Sequence, residues 1–438
     1  MRKMKDSGIE WIGEIPSDWR IVRIKNVSSL FGRIGFRGYT QQDLVNEDDG
    51  AITLSPSNMK NMRMNYEKCS YISWFKYNES PEIKVENGDI LFVKTGSTYG
   101  KSAYVTELPK EATINPQLVV FKQSKMNKKL LAYVLQTSLI SYQTELAVVG
   151  GTIPTMSQEK IKNFILPIPP IDEQKKIADF LDEKCGEIDS IRSDIQKQID
   201  ILNDYKKSVI TGAVTKGLNP KAKLKDSGIE WIGKIPEGWV TRRLKELGKV
   251  RNGLTYSPTD ICDPDEGYLV LRSSNIKDGK LSFEDNVFVS CRIPHELIVQ
   301  KGDILICSRN GSRKLIGKNA IIDDVGNGRV TYGAFMMVFR TKYTKYLYYI
   351  LNSGIFSYYL GSFFTSTINQ LTGFDFGNMV VPFCTDGDEQ KAIADYLDKK
   401  CSEIDATIAD KQKQLETLDE YKKSLIFEYV TGKKEVPA

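Results

Sequence analysis

The chain has 438 residues, with 61 Lys and Arg against 56 Asp and Glu, 41% hydrophobic residues and seven cysteines. That length holds two to four domains with ordinary cores, and the charged and apolar fractions are those of a soluble protein. No apolar run approaches the roughly 18 residues that span a bilayer, no apolar stretch succeeds the N-terminal MRKMKDSGIEWIG, and no two cysteines form a CxxC pair, so the expectation is a cytoplasmic protein with reduced thiols and no membrane partner.

Lys5 to Gly13 reads KDSGIEWIG. Residues 20–165 then alternate apolar, β-rich runs with Gly, Asn and Asp turns, which predicts a strand-rich mixed domain. Two of its loops stand out. Arg33 to Tyr39 (RIGFRGY) offers Arg33 and Arg37. Lys94 to Lys101 (KTGSTYGK), after the strand Gly88-Asp-Ile-Leu-Phe-Val, offers Lys94, Thr95, Ser97, Thr98, Tyr99 and Lys101. Cations suit phosphates and guanine edges, while Ser and Thr serve several bases, so both loops are candidate DNA contacts. The plainer reading is a solvated loop beside a strand. Gly96 to Ser102 is one residue short of GxxxxGK[ST], and Ser102 to Val105 reads as a strand where a phosphate loop needs a helix, so no phosphate loop is expected there.

Residues 172–211 predict one long helix, entered after Pro167, Pro169 and Pro170 and stopped near Thr211-Gly212. Leu181, Ile188, Ile195, Leu202 and Val209 recur every seventh residue, with Ile177, Ile191 and Tyr205 at the positions between, which argues for a coiled-coil seam. Forty residues give a rod of roughly 60 Å. Phe180, Ile199 and Ile201 are expected on its outer face, with Tyr396 and Phe427 on the second rod.

KDSGIEWIG then recurs at Lys225 to Gly233. Residues 240–380 repeat the strand-rich plan: Ser274 to Lys277 matches Ser57 to Lys60, Gly302-Asp-Ile-Leu matches Gly88-Asp-Ile-Leu, and Met336 to Phe339 matches Leu118 to Phe121. The candidate loops differ in content. Arg251 to Tyr256 (RNGLTY) offers Arg251, Asn252 and Tyr256. Ser308 to Lys318, three residues longer than its counterpart, offers Arg309, Asn310, Ser312, Arg313, Lys314 and Lys318. His295 is the single histidine, which disfavours most catalytic triads and zinc sites, and no GxGxxG or Asn-Pro-Pro-aromatic motif is present.

Asp388 to Asp405 repeats Asp172 to Asp189 at 14 of 18 positions. The second helix keeps Leu397, Ile404, Leu418 and Leu425 in the seam, and Lys411 stands where the first has Ile195, where the expectation is that it snorkels at the rim. Residues 172–216 and 388–423 are together acidic by five charges, so with a whole-chain charge of +5 the remainder carries +10. Basic, diverged fillings on a repeated acidic frame suggest a polyanion partner. The residues alone leave two readings open: twin DNA-recognition domains, or a coiled-coil adaptor whose twin domains grip proteins or glycans.

The arrangement resembles the DNA-specificity subunit of type I restriction–modification systems. The resemblance rests on the two Ser-Gly-Ile-Glu-Trp-Ile-Gly-x-Ile-Pro-x-x-Trp segments (Ser7 to Trp19, Ser227 to Trp239), on Leu166 to Gln174 (LPIPPIDEQ), and on Tyr205-Lys-Lys-Ser208 with Tyr421-Lys-Lys-Ser424. It implies an α+β fold: two similar strand-rich mixed α/β target-recognition domains, residues 1–165 and 216–382, separated by two long antiparallel helices forming a coiled coil, residues 166–215 and 383–438, with pseudo-twofold symmetry. It further implies that each domain reads half of a gapped double-stranded DNA site and that two modification subunits, which bind S-adenosylmethionine, dock on the helices. Restriction subunits using ATP and Mg would join them. The chain itself would carry no catalytic residue, metal or cofactor.

Overall fold

A computed structural model describes residues 2–60, 62–149, 153–324, 326, 328–363 and 370–437. The chain forms two compact units, Met1–Ile195 with Lys413–Ala438, and Gln196–Gln412. The four-part division expected from sequence separates elements, whereas compactness cuts both long helices and gives each unit a piece of either.

Both units contain the nine-residue repeat, folded as a hairpin. Met4–Asp6 pairs antiparallel with Glu14–Pro16, and Leu224–Asp226 with Lys234–Pro236. Gly8 and Gly13 adopt φ of +74° and +68°, and Gly228 and Gly233 repeat both values, a conformation that only glycine enters without strain. Just beyond, Trp19 and Trp239 are fully buried. The Trp19 indole donates to Glu173 Oε2 at 2.9 Å and the Trp239 indole to Glu389 Oε2 at 3.2 Å, which anchors each hairpin to the first turn of a long helix.

The first unit holds a six-stranded sheet ordered Ser29–Gly32, Leu118–Lys122, Ile90–Val93, Ser102–Tyr104, Arg63–Met64, Met59–Lys60. A five-stranded sheet contains the parallel pair Gly50–Leu54 and Ala112–Ile114. The second unit reproduces the central registers: Leu305 faces Val338 as Leu91 faces Val120, and Tyr268–Leu271 runs parallel to Val330–Tyr332 as Gly50–Leu54 does to Ala112–Ile114. Ile90–Val93 and Ile304–Cys307 are buried at every position, which is why both read as continuous apolar runs rather than alternating ones.

The first long helix covers Ile171–Lys216 and the second Gly387–Val430. The first does not stop at Gly212. Ala213 and Val214 continue it into the second unit's core, and Gly217, at φ +70°, supplies the left-handed residue that ends it. The second helix starts without the paired prolines of the first. Asp386 Oδ1 accepts from the Asp388 amide at 2.9 Å, and Gln390 Nε2 donates to Cys384 O at 2.7 Å, as Gln174 Nε2 does to Pro169 O at 3.0 Å.

Within the first unit the two helices run antiparallel: Phe180 meets Tyr429, Asp189 meets Lys422 and Arg192 meets Asp419. Within the second, Gln198 meets Lys411 and Lys206 meets Asp405. Leu181, Ile188, Ile195, Leu397, Ile404 and Leu425 are buried, while Leu202, Val209 and Leu418 are half-buried. Three expectations for the outer face are corrected. Phe180 and Phe427 pack on the first unit's core, and Ile199 is buried. Ile201 and Tyr396 are exposed, and so are Ile191, Tyr205 and Tyr421, which the heptads place nearer the seam. A helix of 3.6 residues per turn drifts about 20° per heptad from a strict seven-residue stripe, so the buried face migrates along it. Lys411 donates to Gln198 Oε1 across the helix pair in a solvent-exposed hydrogen bond, which agrees with the rim placement expected for it.

Among the described residues no helix is long and apolar enough to cross a membrane.

Candidate nucleic-acid interface

Each unit ends its central strand in a loop held by the same four backbone hydrogen bonds. In the first unit, Val93 N donates to Lys101 O and Lys94 N to Gln117 O, both at 2.8 Å, Gly100 N donates to Val93 O at 2.9 Å, and Met156 N to Lys94 O at 2.8 Å. In the second, Cys307 N donates to Lys318 O at 2.8 Å, Ser308 N to Phe335 O at 2.9 Å, Gly317 N to Cys307 O at 2.8 Å, and Leu371 N to Ser308 O at 2.7 Å. Gly100 and Gly317 close the two loops at φ +83° and +84°. A Cβ on Gly317 would meet Leu360 Cδ1 at 2.4 Å and Phe356 Cε1 at 2.9 Å, so a larger residue would also have to displace these side chains. Isolated bridges then join Thr95 to Thr155 and Arg309 to Gln370.

On this common frame the side chains differ. In the first unit, Thr95 Oγ1 lies 2.7 Å from Thr155 Oγ1, and Asn115 Nδ2 donates to Gln117 Oε1 at 3.0 Å. Lys94 is half-buried, and desolvation pushes its ammonium pKa below the ordinary value, which strengthens its preference for an anionic neighbour. Ser97 and Lys101 are exposed and Thr98 is half-buried, while Tyr99 lies against the core. Arg37 is half-buried with Nη1 at 3.5 Å from Glu82 Oε1.

Arg33 requires correction as a surface contact. It is 5% exposed, and its guanidinium donates to Ile114 O, Arg37 O and Thr113 Oγ1 at 3.2 to 3.3 Å. It also lies 5.3 Å from the Tyr39 ring centroid. Burial pushes its pKa below the ordinary value. Arg33 staples its own loop to the sheet, since a buried guanidinium must have its donors satisfied by protein groups. In the second unit Gly253 stands at the place of Arg33, while Arg251, which faces Val338 as Phe31 faces Val120, is exposed, with Nη1 3.7 Å from Glu296 Oε1. Asn252 is exposed and Tyr256 half-buried.

In the second unit Arg309 is exposed, with its guanidinium 5.2 Å from the Phe335 ring centroid. Stacking of this kind orders an Arg fork and leaves its N–H edge for bidentate hydrogen bonding. Asn310 Nδ2 donates to Ser273 Oγ at 3.1 Å, while its Oδ1 accepts from the Ser312 amide at 2.9 Å. Arg313 Nη2 donates to Gly361 O at 3.4 Å, Lys314 is exposed and Lys318 half-buried.

The sequence reading missed Gln117, Thr155, Phe335, Gln370 and Ser273, which lie beside the candidate residues. A signal for most of them was present. Aligning Leu118 with Met336 puts Gln117 opposite Phe335, one residue before the strand that pairs with the loop strand. Thr155 and Gln370 arrive from segments whose shared Thr-Ile, at 152–153 and 367–368, puts the two residues opposite each other in sequence, while the fold brings them to the loops.

The first unit also contains a cavity of about 500 Å³, lined among others by Met62, Arg63, Tyr104, Tyr133, Asp182 and Lys422. Tyr133 donates its hydroxyl to Asp182 Oδ1 at 2.8 Å, and Ala132 leaves room beside it. In the second unit Tyr348 stands at the position of Ala132, and its hydroxyl donates to Gly279 O at 3.3 Å.

Residues 16–200 and 236–417 match the family model for the type I restriction modification DNA specificity domain. The chain is 27% identical over 435 residues to the type I restriction enzyme MjaVIII specificity subunit of Methanocaldococcus jannaschii, covering 96% of this chain and 93% of that one. It is 25% identical over 332 residues to the EcoKI specificity subunit of Escherichia coli, covering 73% and 68%. A solved chain from a structural study of complex assembly and conformational transition of the type I R-M system shares the fold with a TM-score of 0.67. It is 16% identical, and the match covers 96% of this chain and 99% of that one.

Proposed function

This chain belongs to the type I restriction modification DNA specificity family, and from that premise we propose that its two units are reading heads for the two halves of a gapped duplex site. The carrying observation is the pair of loops with one backbone frame and different side chains. Lys94, Thr95, Gln117 and Thr155 occupy the places held by Ser308, Arg309, Phe335 and Gln370. A shared frame holds both loops in one pose, and unlike hydrogen-bonding groups on that frame select unlike bases. The exposed cations flanking each loop serve the phosphates that fix register.

In this reading the long helices dock modification subunits that bring S-adenosylmethionine, restriction subunits supply ATP-driven steps, and the chain contributes recognition without catalysis. The adaptor reading gains no support from the frame, since protein or glycan ligands give no reason for a duplicated pose with a changed code.

The test is to express the chain with its modification subunits in a methylation-free host and map the methylated bases. The expected result is one asymmetric motif of two short blocks separated by unspecified pairs. Methylation at a single contiguous block, or with no sequence preference, overturns the reading.

A further inference from the structure

We propose that the exposed aromatic ledge Trp11–Tyr142, repeated as Trp231–Tyr358, is a docking point for a protein bound in two copies, one per ledge, and that this protein is the modification subunit; the identity of the partner rests on the function proposed above.

Most of the nine repeated residues are explained by the hairpin itself. Asp6 and Asp226 accept from the amides of Gly8 and Gly228, Ser7 and Ser227 from those of Ile9 and Ile229, the glycines hold positive φ, and Ile12 and Ile232 are buried. Glu10-Trp11 and Glu230-Trp231 are not explained this way. Both glutamates are exposed, and no hydrogen bond or ion pair engages either among the described residues. Trp11 and Trp231 are 39% and 43% exposed. Each Trp lies 5.1 Å from the ring of a second exposed residue, Tyr142 or Tyr358. These tyrosines belong to Ser138–Ala147 and Gly354–Phe363, helices that otherwise diverge (SLISYQTELA against GIFSYYLGSF). Surface positions drift when only the fold constrains them. Here the surroundings have drifted and the two-ring ledge with its neighbouring carboxylate has not.

The same Trp–Tyr pair, tilted by 41° in the first unit and stacked at 16° in the second, where Tyr359 adds a third ring, is kept on two units that read different bases, which suits a partner that meets both units. Exposed Trp and Tyr rings are frequent anchors of protein interfaces. The Glu10 and Glu230 carboxylates beside the rings, which no group engages among the described residues, fit a partner's Arg or Lys. These features favour a protein over DNA.

The experiment measures the number of modification subunits bound per chain by native mass spectrometry, with affinities from titration. Wild type is expected to bind two. Trp11→Ala and Trp231→Ala should each leave one tight copy and weaken the other about tenfold or more, the range of an aromatic anchor. The double variant should weaken both. Glu10→Arg and Glu230→Arg should reproduce these losses with the rings in place, and Trp11→Phe should retain binding. Melting curves identify any Trp variant that fails to fold, in which case the Glu variants decide. Two copies at unchanged affinity in every variant overturn the ledge while leaving the proposed function intact. Loss of DNA affinity by the chain alone, with two copies still bound, assigns the ledge to DNA and overturns the proposal. A wild-type chain that binds no modification subunit overturns the function reading and the ledge with it.

Discussion

Lys422 Nζ donates to Asp189 Oδ1 at 2.6 Å, and the same two repeat positions exchange roles in the second unit, where Lys206 donates to Asp405 at 2.7 Å. The duplication thus supplies an Asp on one helix and a Lys on the other in both units, a pairing that only antiparallel helices in this register permit. The environments differ. Lys422 is 10% exposed and Asp189 27%, with Arg63 3.9 Å from the carboxylate, against 27% and 53% for Lys206 and Asp405. Lys422→Met is expected to cost about 2 kcal/mol, because it leaves a partly buried carboxylate without its main partner. Lys206→Met should cost less than about 1 kcal/mol. Chemical denaturation of the two variants checks this, and equal costs would contradict the difference in burial.

Ile188 is 5% exposed inside the first unit, and Ile191, one turn on, is 50% exposed. Ile188→Asp buries an unpaired carboxylate and is expected to destabilise by about 3 kcal/mol or more. Ile191→Asp should fall within about 0.5 kcal/mol of wild type. Thermal melts read by helical circular dichroism decide; a large loss from Ile191→Asp would put that residue in the seam after all.

This pair also marks how far sequence reading reached. The repeats, the two long helices and the strand-rich fillings were legible because heptads, glycine turns and apolar runs are local signals. Ile188 was legible as seam because its heptad position coincides with the buried face in both repeats. Ile191 was not, because the face turned to the core depends on what packs against each turn. The site was legible only as loop chemistry. Arg309 and Arg33 look alike in sequence, both cations beside glycine-rich turns, yet one stands over Phe335 at the surface and the other is buried among carbonyls. The difference lies in where residues 113 and 114 of a distant strand end up, and no local pattern encodes that.

The thiols provide a chemical check on burial. Cys384 is pushed up to about 12, first by burial and then by the hydrogen bond to Glu389, and burial pushes Cys401 up to about 11. Cys185 and Cys307 are buried and also raised. Since the thiolate is the nucleophile, raised values suppress alkylation at mildly alkaline pH. Peptide mapping after brief iodoacetamide treatment should find Cys262, which is half-exposed, labelled well before these four, and all seven labelled in guanidinium. Early labelling of Cys384 would contradict its position.

Binding of specific DNA by the reconstituted complex should weaken steeply with salt. With about six or more phosphates neutralised, affinity is expected to fall on the order of 10³-fold between about 50 and 200 mM salt. A flat titration would rule out phosphate contacts from the exposed cations of the two loops, Lys101 and Lys314 among them.

Arg309→Ala and Arg33→Ala separate reading from scaffolding. Arg309 is exposed and ordered by the Phe335 ring, so its loss should relax recognition at one position of one half-site, at a cost of about 1–3 kcal/mol where it meets a guanine, with melting unchanged. Arg33 holds Ile114 O, Thr113 Oγ1 and Arg37 O together, so its loss should lower the melting temperature and weaken the first unit's half-site at every position instead of relaxing one. Methylation motifs from cells carrying each variant show the difference directly. If Arg33→Ala changed a single base preference at full stability, or if Arg309→Ala degraded both half-sites equally, the division between the frame and the side chains it presents would fail.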